Sequence, residues 1–170
     1  GIDSVEHGTY LDEEAIQMIL EKGAYLIPTL ITQKYNKLMA ETGSMEDYRV
    51  EDAMRIADIH RENIKKAYKA GVAMVMGTDS GVIEHGVNLQ ELGLLCEIGM
   101  TPIEAIMSGT KVAAECMGWQ DKIGTLEAGK LADVVVSKKN PLFNINSIGN
   151  PDNIEVVMKD GNILKDIREL

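Results

Sequence analysis

A chain of 170 residues with 45% hydrophobic residues is long and apolar enough to bury one ordinary core, and wholesale disorder is excluded. Its formal net charge of −10 argues against a phosphate-binding surface, so no nucleic-acid partner is expected and a cytoplasmic protein is. No apolar run approaches the roughly 20 residues that span a bilayer, so no membrane partner is expected, and the opening GIDSVEHG lacks the basic-then-apolar order of a signal peptide.

Residues 2 to 5 look like the end of a short strand that delivers His7. Asp12 is a good N-cap for a helix through about Glu21, with Ala15, Ile16, Ile19 and Leu20 on one face and Gly23 as its stop. The run AYLIPTL, 24 to 30, reads as a buried strand whose last residues, Pro28 and Thr29, turn into a loop. Residues 31 to 45 have mixed character, and an irregular loop is expected there. A long helix follows from about Met45 to Ala70, because Val50, Ala53, Ala57, His60, Ile64 and Ala67 recur at helical spacing before Gly71. The run VAMVMG, 72 to 77, is continuous and apolar, as expected of a strand buried on both faces of a parallel sheet. A helix from about Leu89 to Ile98 comes next. Thr101, Pro102 and Glu104 then supply an N-cap, a helix-compatible proline and a capping-box acid for a helix to about Met117.

Alternating strands and helices over the first 118 residues point to an α/β fold with a parallel sheet, open or closed into a barrel. The pattern changes after Trp119. LADVVVS and IEVVMKDGNILKD are short β segments, and Asp160-Gly161 is a strong hairpin signal. So few strands do not make a stable sheet alone, and the chain opens without Met inside a strand-like pattern. Both observations lead us to expect further material before residue 1. Cys96 and Cys116 lie in helical patterns without metal-ligand spacing and read as free thiols.

In parallel α/β folds, polar groups at the C-terminal ends of strands converge on the active site. Asp79 follows VAMVMG directly and His7 follows the first strand. A carboxylate and an imidazole on neighbouring strand ends suit a divalent metal such as zinc, and the same Asp is able to take a proton from water. The alternatives remain open on spacing alone: Asp79 is more often a cap or turn residue, and His7 a strand end satisfied by local hydrogen bonds. His60 lies on the apolar stripe of its helix and reads as a packed, hydrogen-bonded histidine. His85, in a glycine-flanked loop six residues beyond Asp79, either reaches a substrate above the strand ends or organises its loop.

Four motifs occur together in order: EHG at 6 to 8, GTDSG at 77 to 81 followed by HGVNLQEL at 85 to 92, TPIEAIMSGTKVAAECMG at 101 to 118, and GTLEAGKLADVVV at 124 to 136. The combination resembles the C-terminal part of the amidohydrolase superfamily, in particular its imidazolonepropionase-like and Xaa-Pro or Xaa-Arg dipeptidase-like members. The resemblance implies a (β/α)8 TIM barrel, present here from strand six to strand eight over residues 1–118. It further implies that residues 119–170 supply the C-terminal strands of a small composite β-sandwich domain. It makes His7 the metal ligand after strand six and Asp79 the strand-eight residue that contacts the metal and handles the proton of the attacking water. His85 takes a place in substrate binding, with Tyr10 and Thr29 as further lining residues. The family's His-x-His pair, its strand-four Lys and its strand-five His have no counterpart in this chain.

These features lead us to expect a metal-dependent amidohydrolase of the dipeptidase or prolidase kind, with one or two divalent ions, zinc by preference. Its substrate would be a dipeptide or N-acyl amino acid and its assembly a homo-oligomer. Two alternatives stand beside this reading. One is hydrolysis or deamination of a cyclic amide or heterocycle. The other is a non-catalytic chain that holds no full metal site, since a catalytic zinc usually has three protein ligands.

Overall fold

A computed structural model describes residues 1–168. Strands β1 (Ser4–Glu6) and β2 (Tyr25–Ile27) pair in parallel, with Ser4 opposite Tyr25 and Glu6 opposite Ile27. Helix α1 (Glu13–Lys22) connects them and behaves as its sequence dictates. The Asp12 side chain accepts from the Ala15 N–H at 2.8 Å, Gly23 closes the helix at φ 62°, and Ile16 and Ile19 turn into the core.

The apolar stretch 72–77 lies along the other side of β2. The Leu26 N–H donates to the Ala73 carbonyl and the Val75 N–H to the Leu26 carbonyl, both at 2.9 Å, so pairing is confined to a parallel bridge at Leu26–Met74. Gly77 permits this approach, because a Cβ there would collide with Cγ2 of Ile27. The three stretches therefore end at one edge, delivering His7, Thr29 and Asp79.

Three expectations need correction. The run 72–77 is not a regular strand buried on both faces but makes only the bridge at Leu26–Met74, with Ala73 exposed. Residues 31 to 45 are mostly not an irregular loop but helix α2 (Leu30–Glu41), which packs against the long helix α3 (Asp47–Lys69). The expected helix from Thr101 to Met117 is two helices, α5 (Pro102–Ser108) and α6 (Lys111–Cys116), after α4 (Gln90–Glu97). The break frees the Ser108 carbonyl to accept the Met76 N–H at 3.1 Å, and Gly109 leaves room for the Met76 side chain. The capping box at Thr101 and Glu104 is present.

The C-terminal segment forms a three-stranded antiparallel sheet, β3 (Val134–Ser137), β4 (Ile154–Lys159) and β5 (Asn162–Asp166), in that order. Asp160 and Gly161 at φ 49° and 77° make the β4–β5 turn, as a tight hairpin requires. Ile145, Ile148 and Ile154 join the same core as Leu26, Ile64, Leu95 and Ala105. No described helix is long and apolar enough to cross a membrane. The accessible surface is 10345 Å², against roughly 8,200 Å² for a compact monomer of this mass. The excess includes large apolar side chains: Phe143, Leu126 and Leu164 are 91%, 79% and 69% exposed.

Candidate active site

The strand-end residues share an unusual backbone. Four described non-glycine residues have positive φ: His7 at 63°, Thr29 at 49°, Asp79 at 51°, and Asp160 in the hairpin turn. A β-branched residue such as Thr29 is a clear outlier there. Such conformations cost on the order of 1–3 kcal/mol each and persist only where surroundings impose them.

At His7 the surroundings are visible. Its N–H donates to the Ile27 carbonyl at 2.8 Å, and its carbonyl accepts from His60 Nε2 at 2.7 Å. Its ring Nδ1 shares a hydrogen bond of 2.7 Å with Thr29 Oγ1. One turn further along α3, Asn63 Nδ2 donates to the Thr9 carbonyl at 2.9 Å, so α3 grips this loop twice. His60 is buried as expected. Burial lowers its pKa, favouring the neutral ring; Nε2 carries the proton given to His7, and Nδ1 is buried with no hydrogen-bond partner among the described residues.

Thr29 is itself buried and begins α2 without capping it. The Leu30 and Ile31 N–H groups donate instead to the two carboxylate oxygens of Glu91, each at 2.8 Å. Glu91 is fully buried, and burial pushes its pKa up to about 7 against the pull of those two N–H donors. Sequence reasoning missed this residue. Its signal was an acid on the apolar stripe of α4, four residues before Leu95 and seven before Ile98.

The other predicted site residues stand apart. Asp79, His85 and Tyr10 are exposed, and their side chains make no hydrogen bond among the described residues. The structure thus unites His7 with Thr29 directly, sets Asp79 on the same sheet edge, and leaves His85 and Tyr10 on turns. Cavities of about 560, 360 and 310 Å³ lie elsewhere, and none of them is lined by His7, Asp79 or His85.

Imidazole and carboxylate are the donor types zinc takes, and the engagement of Nδ1 leaves His7 Nε2 as the nitrogen open to a metal. Among the described residues, no group of three or more His, Cys, Asp or Glu side chains is placed to hold an ion. His7 and Asp79 supply two donors of suitable type, and the described residues do not make a whole centre.

The chain is 32% identical over 181 aligned residues to ochratoxinase of Aspergillus niger, covering 97% of this chain and 34% of that protein. It is 30% identical over 144 residues to imidazolonepropionase of Aeromonas hydrophila subsp. hydrophila, covering 80% of this chain and 29% of the relative. A solved Xaa-Pro dipeptidase with methionine bound in its active site superposes at a TM-score of 0.89 with 35% identity, over 97% of this chain and 40% of that one. The chain spans about a third of the length of the curated relatives it matches. Residues 1–164 match the Amidohydrolase family, and the chain belongs to that family.

Proposed function

We propose that this chain forms part of the active site of a metal-dependent hydrolase that cleaves the amide C–N bond of a dipeptide or N-acyl amino acid. The observation that carries the reading is the delivery of His7, Thr29 and Asp79, all in left-handed backbone, to one edge of three adjacent parallel stretches. Similarity to the Xaa-Pro dipeptidase supports the substrate class. In this reading β1, β2 and residues 72–77 are strands six to eight of a (β/α)8 barrel. Residues 119–170 are then part of a small composite β-sandwich, distinct from the barrel segment 1–118. The exposed apolar surface supports association as a homo-oligomer.

His7 through Nε2 and Asp79 through its carboxylate would hold one or two zinc-like ions together with ligands from outside these residues. A bound ion polarises the scissile carbonyl and lowers the pKa of water beside it. Thr29 holds the His7 ring in one orientation through the 2.7 Å hydrogen bond between Oγ1 and Nδ1. Asp79, exposed and without a side-chain partner, takes a proton from the attacking water and returns it to the leaving nitrogen. His85 and Tyr10 face solvent, which suits contact with substrate.

A second reading, hydrolysis or deamination of a cyclic amide, is supported by the similarity to imidazolonepropionase. A non-catalytic role is supported by the shortage of ligands among the described residues. Substitution Asp79→Ala in the whole protein tests the proton carrier, and the substrate range of the unsubstituted protein separates these readings. Dipeptide hydrolysis should fall about 10²–10⁴-fold, the range of a lost general acid–base. Full turnover with Asp79 gone removes its assigned role, and turnover of a cyclic amide but no dipeptide selects the second reading.

A further inference from the structure

Helix α2 starts beside a residue that ordinarily caps helices, yet that residue does not cap it. Thr29 has the hydroxyl an N-cap uses, but its φ and ψ of 49° and 45° are left-handed and its side chain makes no capping bond. The first amides of α2 are satisfied in other ways. Leu30 and Ile31 donate to Glu91 on α4, roughly 60 positions later in the chain, and the Thr32 N–H donates to the Thr29 carbonyl at 3.1 Å. The first three amides of α2 thus have partners other than the Thr29 hydroxyl, and a buried hydroxyl needs a partner. Its partner is His7 Nδ1 at 2.7 Å.

We infer that Glu91 is a positioning residue for His7: by capping α2 in place of Thr29, it releases Thr29 Oγ1 to fix the His7 ring. Burying a carboxylate is a costly way to cap a helix when a threonine already stands at the start. The arrangement makes sense once the threonine has another task. His60, gripping the His7 carbonyl from α3, supplies the complementary constraint on the backbone. Thr29 at the start of α2 thus holds the ring, His60 of α3 holds the His7 carbonyl, and Glu91 of α4 acts through the first amides of α2. The functional weight of this coupling rests on the proposed role of His7 as a metal ligand, but the coupling itself is measurable without metal.

The test is ¹⁵N NMR of the histidine rings in the metal-free whole protein at pH 8, with the His7 signals assigned by their loss in His7→Ala and His85 as internal control. Thr29→Val should move the His7 ring ¹⁵N resonances, and Thr29→Ser should restore the wild-type pattern. Glu91→Gln offers one acceptor oxygen where two amides need one each. It should move the His7 resonances in the same direction as Thr29→Val and add nothing in the Thr29→Val background. His85 should not respond to any of these changes. In the whole protein, Glu91→Gln should weaken metal affinity about 10–100-fold, as loss of an outer-shell partner does. A Glu91→Gln variant that loses thermal stability while its His7 rings keep the wild-type pattern reduces Glu91 to a structural cap and overturns the inference. An unchanged His7 ring in Thr29→Val overturns it as well. Should Gln at position 91 prevent folding, Glu91→Asp, with its carboxylate drawn back by one methylene, decides by the same criterion. If His7→Ala leaves hydrolysis intact while the ring coupling holds, the ligand role fails and the coupling stands.

Discussion

The tripeptide Glu-His-Gly occurs twice, at residues 6–8 and 84–86, and the two copies have little in common physically. The first ends a strand. His7 is held through its N–H, its carbonyl and its ring, and Gly8 sits at φ 68° with Leu11, Leu26 and Ile64 around it. The second lies in a turn, where His85 is exposed without a side-chain hydrogen bond and Gly86 has nothing within 4 Å of an added Cβ. A histidine is made into a ligand by what orients it, not by its neighbours in sequence. The contrast separates a fixed metal-ligand candidate from a group free to meet substrate.

The sharpest way to break this contrast is to substitute the two glycines. At Gly8 an added Cβ would stand 2.8 Å from Leu11 Cδ1 and 2.9 Å from Leu26 Cδ1, on a left-handed backbone. Gly8→Ala should destabilise the protein by about 2–5 kcal/mol, combining overpacking with backbone strain, as measured by urea denaturation. A loss under 1 kcal/mol would mean that the first copy is not tightly fixed.

The next effect belongs to Glu91, which supports the first copy only. Its folded pKa of about 7 lies above the ordinary value of 4.5, so the folded protein binds this proton more tightly than the unfolded one. Stability from this group is therefore fully present below pH 4.5 and is lost as pH rises to about 7, by up to roughly 3 kcal/mol. Burial is the cause, opposed by the Leu30 and Ile31 N–H groups, and no charged side chain contributes. Urea midpoints from pH 4.5 to 7.5 should fall more steeply in the wild type than in Glu91→Gln, and equal slopes would contradict the raised pKa. The smallest effect is expected at Gly86. Gly86→Ala meets no atom and carries only the cost of φ 94°, about 1 kcal/mol.

What was legible in the sequence was local. Asp12 and Gly23 bound α1, Thr101 and Glu104 begin α5, and Asp160-Gly161 turns the last hairpin, each by chemistry contained within a few residues. Helix α2 was missed because its cap comes from Glu91, far away in the chain, and no local window contains that signal. The break between α5 and α6 was missed for a similar reason, since it answers to Met76 on the neighbouring stretch. At the site, strand-end position pointed to His7 and Asp79, whereas Thr29 entered through the family resemblance as a lining residue. The hydrogen bond from Thr29 to His7 and the His60 grip on the His7 carbonyl join residues 22 and 53 positions apart, which only the fold brings together.

The account turns on His7 being a ligand and His85 not. The most direct measurement is the zinc content of the whole protein after equilibrium dialysis, together with dipeptide turnover, for His7→Ala and His85→Ala. His7→Ala should lose bound zinc and turnover together, while His85→Ala should keep its zinc and change only the dependence on substrate. Full zinc occupancy in His7→Ala, or loss of zinc in His85→Ala, would contradict this assignment.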